Sequence, residues 1–140
     1  MAYLSKKLIV PSIRRGGWFV TLISFLMITG CSIKPMYQPG VIRASSTTEI
    51  NKIQSAIKVS LVDLGWKIMD EKEGMIRALL DLREHTVTID LLYTKEGVQI
   101  QYVDSSELGY REKDGQPYIH KKYTSWIKNL EKKISINLVK

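Results

Sequence analysis

Three segments of this chain alternate apolar and polar side chains with a period of two, namely residues 76–83, 86–93 and 98–102. Successive side chains of a β-strand point to opposite faces, so each segment predicts a strand with one apolar face. The breaks at residues 84–85 and 95–97 are short, and short turns join antiparallel neighbours. The pattern therefore favours an antiparallel meander.

A fourth strand is expected just ahead of these three. Trp66 and Ile68 have the spacing of two side chains on one face of a short strand, and residues 71–74 have the composition of a turn. The predicted meander then has four strands in chain order.

A helix is predicted before the strands. Ser46 and Glu49 have the spacing of a capping box, in which each side chain accepts a hydrogen bond from the other residue's backbone amide. Gly65 can take the left-handed conformation that ends a helix. The apolar stripe of this helix consists of Ile50, Ile53, Ile57, Leu61 and Leu64.

A second helix is predicted at the end of the chain. Residues 104–117 contain four acidic residues, two glycines and a proline, and they predict a long loop. The apolar stripe beyond that loop consists of Tyr123, Trp126, Ile127, Leu130, Ile134 and Leu138.

These elements predict one α+β domain over residues 46–140, in the order α-β-β-β-β-α. Two amphipathic helices can both bury their stripes on one face of the four-stranded antiparallel meander, which gives a two-layer sandwich. A chain of 140 residues suits one such domain with a tail.

The tail begins with the layout of a signal peptide. Residues 1–17 contain four basic residues and no acidic one, and residues 18–28 are apolar apart from Thr21 and Ser24. The apolar run of 11 residues is too short for a membrane-spanning helix, which needs about 20. We expect residues 1–30 to be removed on export.

The tetrapeptide Ile28-Thr29-Gly30-Cys31 resembles the lipobox of bacterial lipoprotein precursors, and Cys31 is the sole cysteine. The resemblance implies that the signal peptidase recognises Ile28, Thr29 and Gly30. It also implies that Cys31 becomes the first residue and carries diacylglycerol and an N-acyl chain such as palmitate. Two or more chains anchor a protein firmly. The alternative is an ordinary secretory signal beside a free cysteine.

The residue after the cysteine bears on localisation. Ser32 rather than aspartate follows Cys31, and the resemblance then implies a lipid anchor in the outer membrane with the domain facing the periplasm. Residues 31–45 contain Pro35, Pro39 and Gly40 and predict a lipidated cysteine and a tether. Within the tether, an edge strand could form from Met36, Tyr37, Val41 and Ile42.

The mature chain has a resemblance of its own. Residues 118–130 (YIHKKYTSWIKNL), 64–66 (LGW) and 82–86 (LREHT) resemble a group of small Gram-negative lipoproteins without an assigned function. That resemblance covers nearly all of the mature chain and implies no catalytic residue.

Charge is unevenly distributed along the chain. Without residues 1–30, 17 basic and 14 acidic residues remain, so the net charge falls from +7 to +3 and a nucleic-acid partner loses its support. Residues 113–140 hold seven basic and two acidic residues. The second helix is thus a basic ridge that could meet an envelope protein or anionic lipid, and the alternative is that its lysines only solvate a packed helix. The expected contacts are Lys121, Lys122, Lys128 and Lys132.

The candidates for chemistry are sparse. His85 and His120 are the only histidines, whereas a zinc site needs three or four ligands. Neither Ser105 nor Ser106 lies in a nucleophile elbow. We therefore expect no metal, no catalytic residue and no cofactor beyond the acyl groups on Cys31, and a non-enzymatic binding or structural module. The alternative is a small periplasmic hydrolase, or a ligand- or metal-binding domain, that uses His85 or His120.

Overall fold

The computed structural model describes residues 32–140. The predicted signal peptide (residues 1–30) and the predicted lipidation site, Cys31, lie outside the described residues. Within the described part, eight strands and two helices follow one another as β1 (Ile33–Pro35), β2 (Ile42–Arg43), α1 (Ile50–Asp63), β3 (Lys67–Lys72), β4 (Met75–Leu82), β5 (His85–Thr94), β6 (Gly97–Ser106), β7 (Arg111–Lys113), β8 (Gln116–His120) and α2 (Lys121–Leu138).

The larger sheet has five antiparallel strands in the order β2-β6-β5-β4-β3. Strands β3 to β6 are the predicted meander, but the predicted number of four is wrong because β2 pairs with the outer edge of β6. Ile42 lies opposite Val98, and Arg43 lies opposite Gly97. A side chain at Gly97 would overlap the Ile42 carbonyl, so the close approach of β2 depends on glycine there.

A second sheet has three short antiparallel strands in the order β1-β8-β7. The prediction of a long loop over residues 104–117 is therefore wrong. Strand β6 continues to Ser106, and β7 pairs with β8 across a tight turn. The φ angles of Asp114 (53°) and Gly115 (74°) are both positive, which is typical of a two-residue hairpin turn.

Residues 32–45 lie along the domain instead of extending from it. Strand β1 pairs with β8, with Ile33 opposite His120, and the Met36 amide donates to the Pro117 carbonyl at 2.8 Å. Strand β2 is the edge strand anticipated around Ile42, whose side chain is buried. The segment expected to be a tether is thus bound at both ends.

Helix α1 starts three residues later than predicted, because its N-cap is Glu49 and not Ser46. Glu49 is the N-cap and forms no side-chain cap, so the prediction that Ser46 and Glu49 cap each other is wrong. A separate turn precedes the helix, in which the Thr48 amide donates to the Ser45 carbonyl. The prediction for Gly65 is confirmed, since its φ is +78°.

Both helices pack against one face of the larger sheet, and the predicted α+β class is confirmed. Their buried residues join those of the sheet in one cluster, and the facing side chains are Ile76, Ala78, Leu80, Val87, Ile89, Leu91, Tyr93, Val98 and Ile100. The opposite face exposes Gln99 and Gln101 and carries the Arg77–Asp90 ion pair at 2.7 Å. In residues 32–140, no helix has the length and apolar character that a membrane span requires.

Candidate functional site

The fold brings the two histidines together, although 34 residues separate them in the chain. His85 is the first residue of β5, and His120 is the last residue of β8. Their rings stack with centroids 6.0 Å apart and planes inclined by 19°, and the Trp126 ring lies 6.4 Å from the His85 ring. Because β8 leads directly into α2, the pair also marks the start of that helix.

Hydrogen bonds fix the His85 ring. Its Nδ1 donates to the Glu107 carbonyl at 2.8 Å, since a carbonyl can only accept. Its Nε2 then holds a lone pair and accepts from the Lys122 ammonium at 3.1 Å.

His120 acts as the cap of α2. Its Nδ1 accepts a hydrogen bond from the Lys122 backbone amide at 3.2 Å. Burial is the main cause that lowers the pKa of His120, and the nearby Lys122, His85 and Lys121 add to it. The neutral form, which is the form that can cap the helix, is therefore favoured.

A cleft of about 490 Å³ opens beside His85. Its lining residues are Leu82, Arg83, Glu84, His85, Lys122 and Trp126. An apolar floor with two cationic side chains could hold a small organic anion, although Glu84 opposes such a charge. Residues 32–140 contain no group of three or more histidine, cysteine, aspartate or glutamate side chains arranged to hold a metal.

A larger cleft of about 610 Å³ lies at the opposite end of β4, between the start of α1 and the β3–β4 turn. Two of its polar lining residues already bind each other, since the Gln54 amide donates to the Glu71 carboxylate at 2.6 Å, and Lys58 from outside the lining pairs with the same carboxylate. Because the Glu71 carboxylate is already bound by Gln54 and Lys58, the smaller cleft beside His85 is the stronger candidate for a ligand site.

The four predicted contact lysines do not share one environment. Lys122 is held by His85, as described above. The Lys128 ammonium lies 5.0 Å from the centre of the Tyr37 ring. The Tyr37 hydroxyl donates to the Glu131 carboxylate at 2.8 Å, which with burial raises the pKa of Tyr37. Lys121 and Lys132 are exposed and make no ion pair with another described residue.

The outer face of α2 nevertheless remains basic. At 100° per residue, Lys121, Lys128 and Lys132 fall on the side opposite the buried residues, together with Ser125, Asn129 and Ile136. The acidic residue of this helix, Glu131, lies on the flank that faces Tyr37. We call the surface formed by Lys121, Lys128 and Lys132 together with Ser125, Asn129 and Ile136 the basic face.

The first described residue lies beside the histidine pair. The Ser32 carbonyl accepts a hydrogen bond from the Lys121 amide at 3.1 Å. The position that follows the predicted lipidation site is therefore fixed against the first turn of α2. Sequence reasoning missed this contact, since nothing in residues 32–35 marks them as partners of residues 118–121.

Comparisons with known proteins add no relative to this picture: no protein-family model, curated protein or solved structure matches the chain.

Proposed function

We propose that the chain is a lipoprotein of the cell envelope whose domain binds another envelope component without catalysis. In this proposal Cys31 carries the acyl groups, the anchor lies in the outer membrane, and the domain faces the periplasm. The basic face of α2 binds an acidic partner.

The observation that supports this proposal is the basic face itself. Its lysines project from a helix whose other side is buried, and the acidic residue of the helix, Glu131, lies on the flank that faces Tyr37. Unlike Lys133, which pairs with Asp63 at 2.8 Å, they are not neutralised within the described domain. Exposed charges of one sign on a rigid helix favour a partner of opposite charge and accelerate its association.

The histidines fit a structural role in the same proposal. The Nδ1 of each ring is engaged by a backbone group, the Glu107 carbonyl for His85 and the Lys122 amide for His120. The His85 ring therefore joins the start of β5 to the residue after β6, and the His120 ring joins the end of β8 to the first turn of α2.

The anchor is tested by mass spectrometry of the protein purified from membranes. We expect a chain that begins at Cys31 with the added mass of acyl groups. We expect Cys31→Ser to remain an unprocessed precursor. A mature chain that begins elsewhere would contradict the lipoprotein proposal.

The basic face is tested with matched charge reversals. The variant Lys128→Glu, Lys132→Glu changes the basic face, and the control Lys52→Glu, Lys95→Glu changes two exposed lysines elsewhere by the same charge. Crosslinking in intact cells followed by affinity purification should recover an acidic partner with wild type and the control, but not with the first variant. Equal recovery of the partner with all three proteins would reject the proposal that the basic face binds it.

A second candidate function rests on the cleft beside His85. Lys122, Arg83 and Trp126 converge there, so a small organic anion could bind. Hydrolysis or metal binding would use His85, which lines the cleft, or His120, which stacks on His85 outside the lining. Metal analysis of the purified protein, and ligand-induced shifts of the histidine ring signals in NMR spectra, test this. Unchanged spectra with candidate anions and a metal-free protein would reject it.

A further inference from the structure

The path of residues 32–45 leaves no slack between the predicted anchor and the domain. Ser32 is bound to Lys121, Ile33 pairs with His120, and the Tyr37 hydroxyl reaches Glu131 on the flank of α2. A Cα atom lies 3.8 Å from its neighbour in the chain. Ser32, which directly follows Cys31 in the chain, is therefore itself a fixed point on the domain surface.

That fixed point belongs to one end of the molecule. The β4–β5 turn, formed by Arg83 and Glu84, adjoins His85, which stacks on His120 next to Lys121. We call this region the anchor end. It comprises Ser32, Arg83, Glu84, Lys121, Lys122 and Trp126. The β3–β4 turn, formed by Glu73 and Gly74, lies at the other end of the eight-residue strand β4, about 26 Å away.

The anchor end has the side chains that a phospholipid surface attracts. Arg83, Lys121 and Lys122 are exposed cations, and they outnumber the exposed acidic residues of the region, Glu84 and Glu107, whose carbonyl binds His85. Trp126 is half-buried beside them, and tryptophan is enriched at the depth of lipid headgroups. Basic side chains near an anionic leaflet are attracted within about one Debye length, which is roughly 8–10 Å.

We infer that the domain lies directly on the membrane with its anchor end against anionic phospholipid headgroups, in one fixed orientation. This inference rests on the proposed acylation of Cys31. It replaces a domain suspended on a tether with one whose distance and tilt are set by the pairing of β1 with β8. Lys128 and Lys132 lie about 10 and 16 Å beyond Lys121 along α2, and they remain available to the partner.

The orientation is measured with two matched probes on the full-length, membrane-extracted lipoprotein. Glu84→Cys and Glu73→Cys each replace an exposed glutamate in a two-residue turn, at opposite ends of β4. The acylated Cys31 leaves no other thiol, so a fluorophore attaches at one site only. The proteins are reconstituted into phosphatidylethanolamine–phosphatidylglycerol vesicles that contain a lipid with a nitroxide on its headgroup.

We expect the probe at residue 84 to be quenched several times more strongly than the probe at residue 73. A domain on a slack tether would give equal quenching at both sites, and this result would overturn the inference. The intact mass of the same samples separates the two proposals. An unacylated chain contradicts the proposed function, whereas an acylated chain with equal quenching contradicts only the orientation.

The contribution of charge is measured with a second pair of variants. Lys121→Gln with Lys122→Gln should reduce the quenching at residue 84 in phosphatidylglycerol vesicles, and the control Lys52→Gln with Lys95→Gln should not. In pure phosphatidylcholine vesicles the two variants should behave alike. Equal quenching of both variants in the anionic vesicles would show that the headgroup charge plays no part and would overturn that half of the inference.

Discussion

The two helices of this domain cover the same sheet face but differ on every other side. Each buries five residues in the common core, with Leu61 of α1 and Leu130 of α2 fully buried. Outside the core, α1 exposes Val59 (50%) and Val62 (66%) beside one lysine, Lys52, whereas α2 exposes four lysines beside Ile136 (42%). Their first turns differ as well, since His120 caps α2 and Glu49 forms no side-chain cap on α1.

The side chains that stabilise the two helices are therefore distinct from those proposed to bind a partner. The buried stripes hold both helices in the same way, while the basic face and the contact with Ser32 belong to α2 alone. Helix α1 is thus primarily a cover for the sheet, and α2 connects the core, the predicted anchor and the proposed partner.

The largest expected effect comes from truncation in the core, where the helices should be alike. Leu61→Ala and Leu130→Ala each remove three carbon atoms from a fully buried site, and each should lower the free energy of unfolding by about 2–5 kcal/mol. Urea denaturation followed by circular dichroism measures both. A loss for one variant only would show that the two helices do not contribute alike to the core.

The next effect is confined to α1, which ends at a left-handed glycine. The Trp66 amide donates to the Leu61 carbonyl at 2.9 Å, and the Gly65 amide donates to the Val62 carbonyl at 3.0 Å. Gly65→Ala should lower the free energy of unfolding by about 1–2 kcal/mol through backbone strain alone, since a Cβ there meets no atom within 4 Å. The same denaturation measurement applies. If Gly65→Asn, which tolerates this conformation better, were as unstable as Gly65→Ala, backbone strain would not be the cause.

A smaller effect is expected at the start of α2. His120→Ala removes the cap and should lower the free energy of unfolding by about 1 kcal/mol. Because the pKa of His120 is lowered in the folded protein, the unfolded chain binds a proton first, and stability falls as the pH drops below about 6.5. His120→Asn keeps a capping side chain without that titration. Thermal denaturation between about pH 5 and pH 8 should show a weaker pH dependence in His120→Asn than in wild type, and equal slopes would contradict the prediction.

The smallest effect is a gain at the start of α1. Glu49→Asp places a shorter carboxylate at the N-cap, where aspartate is a preferred capping residue, and should raise the free energy of unfolding by about 0.5–1 kcal/mol. Differential scanning calorimetry measures the shift. Glu49→Ala serves as the control and should leave stability nearly unchanged, because Glu49 forms no cap to lose.

Some features of the fold could be predicted because they are local. The alternation of residues 76–102 predicts β4, β5 and β6, and the stripes predict both helices, since each pattern depends only on spacing along the chain. The β7–β8 hairpin also had a local signal, because Asp114-Gly115 is a typical pair for a tight turn, but the acidic composition of residues 104–117 masked it.

Other features had no local signal. Ile68 lies opposite the buried Ala78 and so shares the core face expected for Trp66 and Ile68, yet it is 36% exposed because β3 is an edge strand. The bulge between Ile68 and Asp70, which shifts the register of β3, had no signal in the sequence. The pairings of β1 with β8 and of β2 with β6 had no signal because β1 has three residues and β2 has two, and such strands are too short to show a period. The stacking of His85 on His120 depends on that pairing.

The amino-acid sequence by itself determined the α+β class, the two amphipathic helices, the central hairpins, and a signal-like start that ends at Cys31. Each of these follows from residue types at short, regular spacing. Only the tertiary structure decided that residues 32–45 bind along the domain and that the Lys122 ammonium hydrogen-bonds to His85. It also decided that Ser32, the first described residue, lies at the start of α2. These contacts join residues 37 to 94 positions apart in the chain, and such pairings depend on how the whole core packs.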